Sequence, residues 1–186
     1  KVLIDGFYDD VVMLDPKEKN EFKKLPFSDD KYAQGLGVEE LFGEKGYTTL
    51  ERTWARPTLD CNGIWGGFTG AGAKTVLPSK AYAKISMRLV PNQDPDRIEK
   101  LFTEYIKKIT PKTVKLKVKG LHRGKGAMTP IDTKWMKAAS KAMAAGFGKE
   151  PVFIREGGSI PIVLTFKEML GADTVLLGFG LPDENA

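Results

Sequence analysis

The residues best placed to do chemistry lie in Phe153–Val163, FIREGGSIPIV. An apolar run stops at Arg155 and Glu156, crosses Gly157 and Gly158, and resumes as Ser159-Ile160-Pro161-Ile162-Val163. A short strand (PVFI), a Gly-Gly turn and a helix from Ile160 to Leu170 account for that pattern, with Ser159 as the cap and Gly171 as the stop. Glycines let a backbone approach a bound group closely. The first N–H groups of a helix have no intrahelical partners, and a serine hydroxyl adds a donor. The chemistry on offer is the grip of a small anion such as a carboxylate. Arg155 and Glu156 read as an ion pair bracing the turn.

Arg88 offers a second grip. In AYAKISMRLVP the residues alternate, so Ala83, Ile85, Met87 and Leu89 share one face of a strand and Lys84, Ser86 and Arg88 share the other. A guanidinium on a rigid strand presents a two-pronged fork to a carboxylate, although a lone solvated arginine has the same sequence. His122, the single histidine, lies in GLHRGKG, where a surface loop is the default. One histidine and one cysteine, Cys61, exclude a two-histidine zinc site within the chain and leave little for a Cys–His nucleophile pair. Asp5, Asp9 and Asp10 lack the spacing of a calcium loop, so a solvated acidic loop is favoured.

These residues need elements to position them. Residues 1–50 read as irregular, apart from a short helix in DPKEKNEFKK. TLDCNGIWGGFTGAGAKTVL reads as a tight hairpin between two strands; its glycine spacing fits no phosphate-binding loop. DPDRIEKLFTEYIKKI is an amphipathic helix capped by Asp94, with Ile98, Leu101, Phe102, Tyr105, Ile106 and Ile109 in one stripe. TVKLKVKG alternates again, with Val114, Leu116 and Val118 facing inward. Strand, helix, strand with one polar face is half of a split βαβ layer. Beyond GLHRGKGAMTP the pattern changes: a helix capped by Thr133 or Asp132 and ending near Gly146 to Gly148, then the Ser159 turn and helix, then TVLLGFG as a buried strand. The predicted fold class is therefore α+β passing into α/β. An incomplete two-layer domain spans residues 1–127, and part of an α/β domain spans 128–186.

The composition of the 186 residues is that of a globular protein, 41% hydrophobic and 28% charged. The net charge of +5 comes from lysines interleaved with acids, not from a basic block, which argues against a nucleic-acid footprint. A single cysteine permits no intrachain disulfide and fits a reducing, cytoplasmic compartment. No apolar run reaches membrane-spanning length. Because the apolar pattern starts at once after Lys1, the chain is expected to begin inside a larger protein.

Three motifs in order, K-T-V-x-P at Lys74, R-L-V-P-x-Q-D-P at Arg88 and R-E-G-G-S-I-P at Arg155, resemble the dinuclear-zinc metallopeptidases of the carnosinase and aminoacylase type. The resemblance covers the chain from about Tyr47. It implies a catalytic domain split by a ferredoxin-like lid that pairs two subunits into a homodimer. It also implies hydrolysis of a dipeptide or related amide by water bridging two zinc ions. By motif, Arg88 and Thr75 are implied to hold the substrate carboxylate and backbone, and Gly158 and Ser159 to meet the same end. His122 sits where related proteins carry a histidine followed by glycine, with Arg123 here in place of the glycine. The family's zinc ligands and catalytic base match nothing in these residues, so the resemblance implies a lid lacking its first strand and helix, no metal bound by this chain and no catalysis by it alone. The competing reading, a non-enzymatic ferredoxin-like module for an anionic partner such as nucleic acid, requires aromatics exposed on adjacent strands. The lysine-alternating segment at 113–119 carries none.

Overall fold

The computed structural model describes residues 1–156 and 160–179. Among them are six helices and one two-stranded sheet: α1 Pro16–Lys23, α2 Asp29–Leu36, α3 Thr49–Ala55, β1 Asp60–Gly66, β2 Ala81–Ser86, α4 Pro95–Ile109, α5 Lys134–Phe147 and α6 Pro161–Leu170. The class is α+β, as the patterning predicts.

Helix α1 starts where its sequence instructs it to. Asp15 accepts the Glu18 N–H at 2.8 Å, and Glu18 reaches back to accept the Asp15 N–H at 3.0 Å, a complete capping box with Pro16 at the first helical position. Its apolar face delivers Phe22 edge-on to Trp54 of α3, with ring centroids 5.2 Å apart. Residues 1–50 are thus more ordered than their composition predicts. Ser28 caps α2 and Thr48 caps α3, the latter with Glu51 in a second capping box. Helices this short are marginal alone, so the caps and the Phe22–Trp54 contact decide them rather than a long apolar stripe.

The sheet is an antiparallel pair with Trp65 opposite Tyr82 and a register irregularity between Cys61 and Gly63. The strands are joined by residues 67–80, a long connection rather than the tight turn expected from the glycines. The core lies where the apolar stripe of α4 meets the chain's first residues. Ile4, Phe7 and Ile98 are buried, and Met87, Leu89, Leu101, Phe102 and Tyr105 pack on them. Ile98 is 3% exposed, and its burial contributes roughly 2–3 kcal/mol. Asp94 caps α4 through the N–H groups of Asp96 and Arg97, and Pro111 lies just past its end.

Three expected strands are absent among the described residues: PVFI at 151–154, TVKLKVKG at 113–120 and TVLLGFG over 174–179. A strand exists only by pairing. Alternation at Val114, Leu116 and Val118 promises a ladder, but the ladder in the described chain joins β1 to β2 alone. Accordingly Val114 and Leu116 remain exposed.

Candidate substrate-binding site

Arg88 lies two residues past β2, not within a strand as its alternation suggests. Its backbone is nonetheless fixed. The Thr58 N–H donates to the Arg88 carbonyl at 3.0 Å, and the flanking Met87 and Leu89 are packed on the core. Arg88 is thus an exposed residue on a backbone held on both sides.

Immediately beyond it, V-P-N-Q forms a tight turn. The Gln93 N–H donates to the Val90 carbonyl at 3.2 Å, Pro91 occupies the first corner, and Asn92 takes the left-handed conformation at φ 75°. That is the geometry of a type II turn, whose second corner favours glycine or asparagine. Asn92 is held further by donating from Nδ2 to the Asp10 carbonyl at 3.0 Å. The glutamine of the R-L-V-P-x-Q motif thus serves the architecture just behind Arg88.

Thr75 lies in the exposed 67–80 connection. His122 is exposed in the segment after α4. That segment is held by its neighbour Arg123, which donates to Glu99 from Nε and to Asp96 from Nη1 at 2.7 Å, both acceptors on α4. Lys125 lies 3.8 Å from Asp94 in the same row. The arginine that interrupts the expected His-Gly pattern thus fastens the histidine loop to α4.

Gly157, Gly158 and Ser159 lie outside the described residues, so the expected anion-binding turn keeps its sequence support alone. The helix after it begins at Pro161 with Ile160 in the cap position and no side-chain cap bond. A proline suits the first helical position, where its missing N–H has no intrahelical partner to lose.

The expected Arg155–Glu156 pair is replaced by a long-range one. Arg155 donates to both carboxylate oxygens of Glu18, from Nε at 2.7 Å and from Nη2 at 2.8 Å, and from Nη1 to the Val12 carbonyl at 3.0 Å. Glu156 is exposed. A carboxylate already oriented by the α1 capping box is the better partner, because both of its oxygens meet the guanidinium fork at once. The Asp15-x-x-Glu18 spacing was the sequence signal for that oriented carboxylate.

A second buried arginine had no such signal. Arg56 is 8% exposed and donates to both oxygens of Glu44, at 2.8 and 3.0 Å. Its guanidinium carbon stands 4.8 Å from the Tyr8 ring centroid and 4.3 Å from that of Tyr47. Burial raises the Tyr8 phenol above its ordinary value, partly offset by the hydrogen bond it accepts from the Val2 N–H.

Among the described residues no three His, Cys, Asp or Glu side chains cluster to hold an ion. Asp9 and Asp10 instead pair with Arg97 of α4. No helix among the described residues is long and apolar enough to cross a membrane.

Residues 16–114 match the M20 peptidase dimerisation domain. The chain belongs to the M20 peptidase family. The M20 likeness runs along the whole chain. It is 33% identical to the Cys-Gly metallodipeptidase of Schizosaccharomyces pombe over 100% of this chain and 40% of that protein. It is 32% identical to the human Beta-Ala-His dipeptidase over 98% of this chain and 37% of that protein. The solved di-peptidase Dug1p of Saccharomyces cerevisiae superposes with a TM-score of 0.80 at 34% identity, over 100% of this chain and 40% of that one. The M20 metallo-carboxypeptidase Sso-CP2 of Sulfolobus solfataricus gives 0.78 at 31% identity, over 92% of this chain and 38% of that one. This M20 chain therefore spans about 40% of the length of relatives such as the fission-yeast enzyme. Nothing in these comparisons supports a nucleic-acid module. Trp65 and Tyr82 do lie exposed on adjacent strands, but they stack on one another at 5.2 Å.

Proposed function

We propose that this chain is the lid, residues 1–127, and a following stretch of catalytic domain, residues 128–186, of a zinc-dependent dipeptidase of the M20 family. The supporting observation is the likeness to dipeptidases over the full chain, at a TM-score of 0.80 for the yeast enzyme. The substrate is a dipeptide or a related amide with a free carboxylate. Arg88 supplies the fork for that carboxylate, and Thr75 offers a hydroxyl to the substrate backbone. Gly158 and Ser159 meet the carboxylate from the other side, and His122 completes the rim. These groups bind and orient. Holding the reacting amide in one pose is itself a large catalytic contribution. The two zinc ions, their ligands and the general base belong to the part of the enzyme outside these residues, so the 186-residue chain alone is predicted to hydrolyse nothing.

The lid also makes the enzyme a homodimer. The β1–β2 ribbon leaves Ile64, Trp65 and Tyr82 exposed, and a ribbon of two strands has an unpaired edge on each side. A cytoplasmic location fits the single cysteine.

The test is made in the full-length enzyme with dipeptide substrates. Arg88→Ala is expected to lower kcat/KM by about 30- to 150-fold, which corresponds to losing a charged hydrogen-bond partner of roughly 2–3 kcal/mol. An unchanged kcat/KM removes Arg88 from the site. Zinc-dependent dipeptidase activity from the purified 186-residue chain would overturn the division of labour.

A further inference from the structure

Residues 120–126, the segment that carries His122, belong to no helix or strand. They are held instead by contacts on the start of α4 and on the turn before it. Arg123 donates from Nε to Glu99 and from Nη1 to Asp96 at 2.7 Å. Lys125 stands 3.8 Å from Asp94, the cap of α4. At both ends of the segment the backbone itself comes close. A methyl group placed on Gly120 would lie 2.5 Å from Oε1 of Glu99, the carboxylate that Arg123 grips. One placed on Gly126 would lie 3.1 Å from the Pro91 nitrogen and 3.2 Å from the Val90 carbonyl carbon. A side chain at Gly126 would need that backbone to give way, so the segment ends pressed on the turn just beyond Arg88.

These contacts give the histidine loop a fixed address. Asp96 and Glu99 are three residues apart in α4, so they stand on one face of the helix. A guanidinium presents its donors in a rigid plane, and meeting both acceptors sets position and direction together. Stability is a weak reason for the arrangement. The Arg123 side chain is 50% exposed, and exposed pairs contribute little to folding. Position is the better reason, because the residue being placed is the immediate neighbour, His122. The close approach of Gly126 to Val90 and Pro91 ties the far end of the same segment to the stretch of backbone that carries Arg88.

We propose that Arg123 is a positioning residue of the substrate site, fastening the His122 loop to Glu99 and Asp96 of α4 beside the turn that follows Arg88. The inference rests on the reading of His122 given under Proposed function. It deepens that reading with a residue that acts through its neighbour and is not itself required to touch substrate.

The experiment is a double-mutant cycle on kcat/KM in the full-length enzyme with a dipeptide substrate: wild type, His122→Ala, Arg123→Ala and the two together. His122→Ala is expected to lower kcat/KM about tenfold or more. Arg123→Ala is expected to lower it about three- to tenfold in the wild-type background. Once His122 is alanine, the same change should cost less than about twofold, because a residue that acts through His122 then has nothing to position. Arg123→Lys keeps the charge and loses the fork, and is expected to fall between wild type and Arg123→Ala. Glu99→Gln loosens the clamp from the α4 side and should show the same dependence on His122. It provides the answer if Arg123→Ala does not fold. Equal losses from the Arg123 change in both backgrounds, or no loss in either, overturn the positioning role alone. If His122→Ala leaves kcat/KM unchanged, the reading of His122 falls and the positioning role with it.

Discussion

Gln93 donates from its side-chain amide to the Phe7 carbonyl at 2.7 Å and accepts the Val90 N–H at 3.0 Å, joining the turn behind Arg88 to the chain's first core residues. Gln93 is 3% exposed, so neither backbone group has water to fall back on. Gln93→Ala leaves a buried donor and a buried acceptor unpaired. The expected cost is about 2–4 kcal/mol, read as a lower midpoint in urea with an unchanged slope. Gln93→Glu is expected to be as damaging at neutral pH, where a carboxylate faces the Phe7 carbonyl. It should recover partly in acid, where the protonated group donates again.

The Glu44–Arg56 pair carries a different expectation, because removing one partner strands the other. Glu44→Ala leaves a guanidinium held between Tyr8 and Tyr47 with no counter-charge. It should cost about 3–5 kcal/mol, whereas the double change Glu44→Leu with Arg56→Met should cost well under the sum of the two single changes. Chemical denaturation of the four proteins of that cycle measures the coupling. Additive costs would mean that the two side chains act independently despite their 2.8 Å contact.

What could be read from the sequence divides by the range of the interaction. Helix α4 was legible because its signals are local: Asp94 as cap, Pro95 after it, and Ile98, Leu101, Phe102 and Tyr105 in one stripe. The cap of α5 and the existence of α1 were legible for the same reason. The strand at 113–119 was misread because alternation reports a tendency to pair and not the presence of a partner. The Arg155–Glu156 pair was misread because nearness in sequence was taken for nearness in space, when the preset carboxylate lay at Glu18. The Arg56 cluster draws Tyr8, Glu44 and Tyr47 from separate segments with no spacing rule between them. Of the site, Arg88 was found through its motif, but its firm backbone comes from Thr58 and Gln93, which no pattern around Arg88 announces.

The Arg123 brace should be visible in local dynamics rather than in global stability. Its partners Glu99 and Asp96 are on the surface of α4, and exposed pairs of this kind add little to the folding free energy. Arg123→Ala is expected to leave the denaturation midpoint nearly unchanged. It should speed amide exchange and limited proteolysis across residues 120–126, the loop that carries His122. Unaltered exchange in that loop would mean that the brace is not what holds it.

Glu51 supplies a pH dependence with a definite sign. Burial pushes its carboxyl upward, but the Thr48 N–H it accepts and the Lys19 ammonium at 3.4 Å together outweigh burial and leave it below the ordinary 4.5. A carboxyl that ionises more easily in the folded chain binds fewer protons there than in the unfolded chain. Its stabilising contribution is therefore complete above pH 4.5 and is lost as the pH falls from that value through the lower folded one. Glu51→Gln keeps the capping box and removes the titration, so its stability should fall less steeply than the wild type's across that acid range. Thr48→Ala removes the reciprocal half of the box and should cost about 1 kcal/mol at neutral pH. Urea midpoints measured from pH 6 downward check both statements. Parallel acid limbs for the wild type and Glu51→Gln would show that the loss of stability in acid comes from other carboxyls.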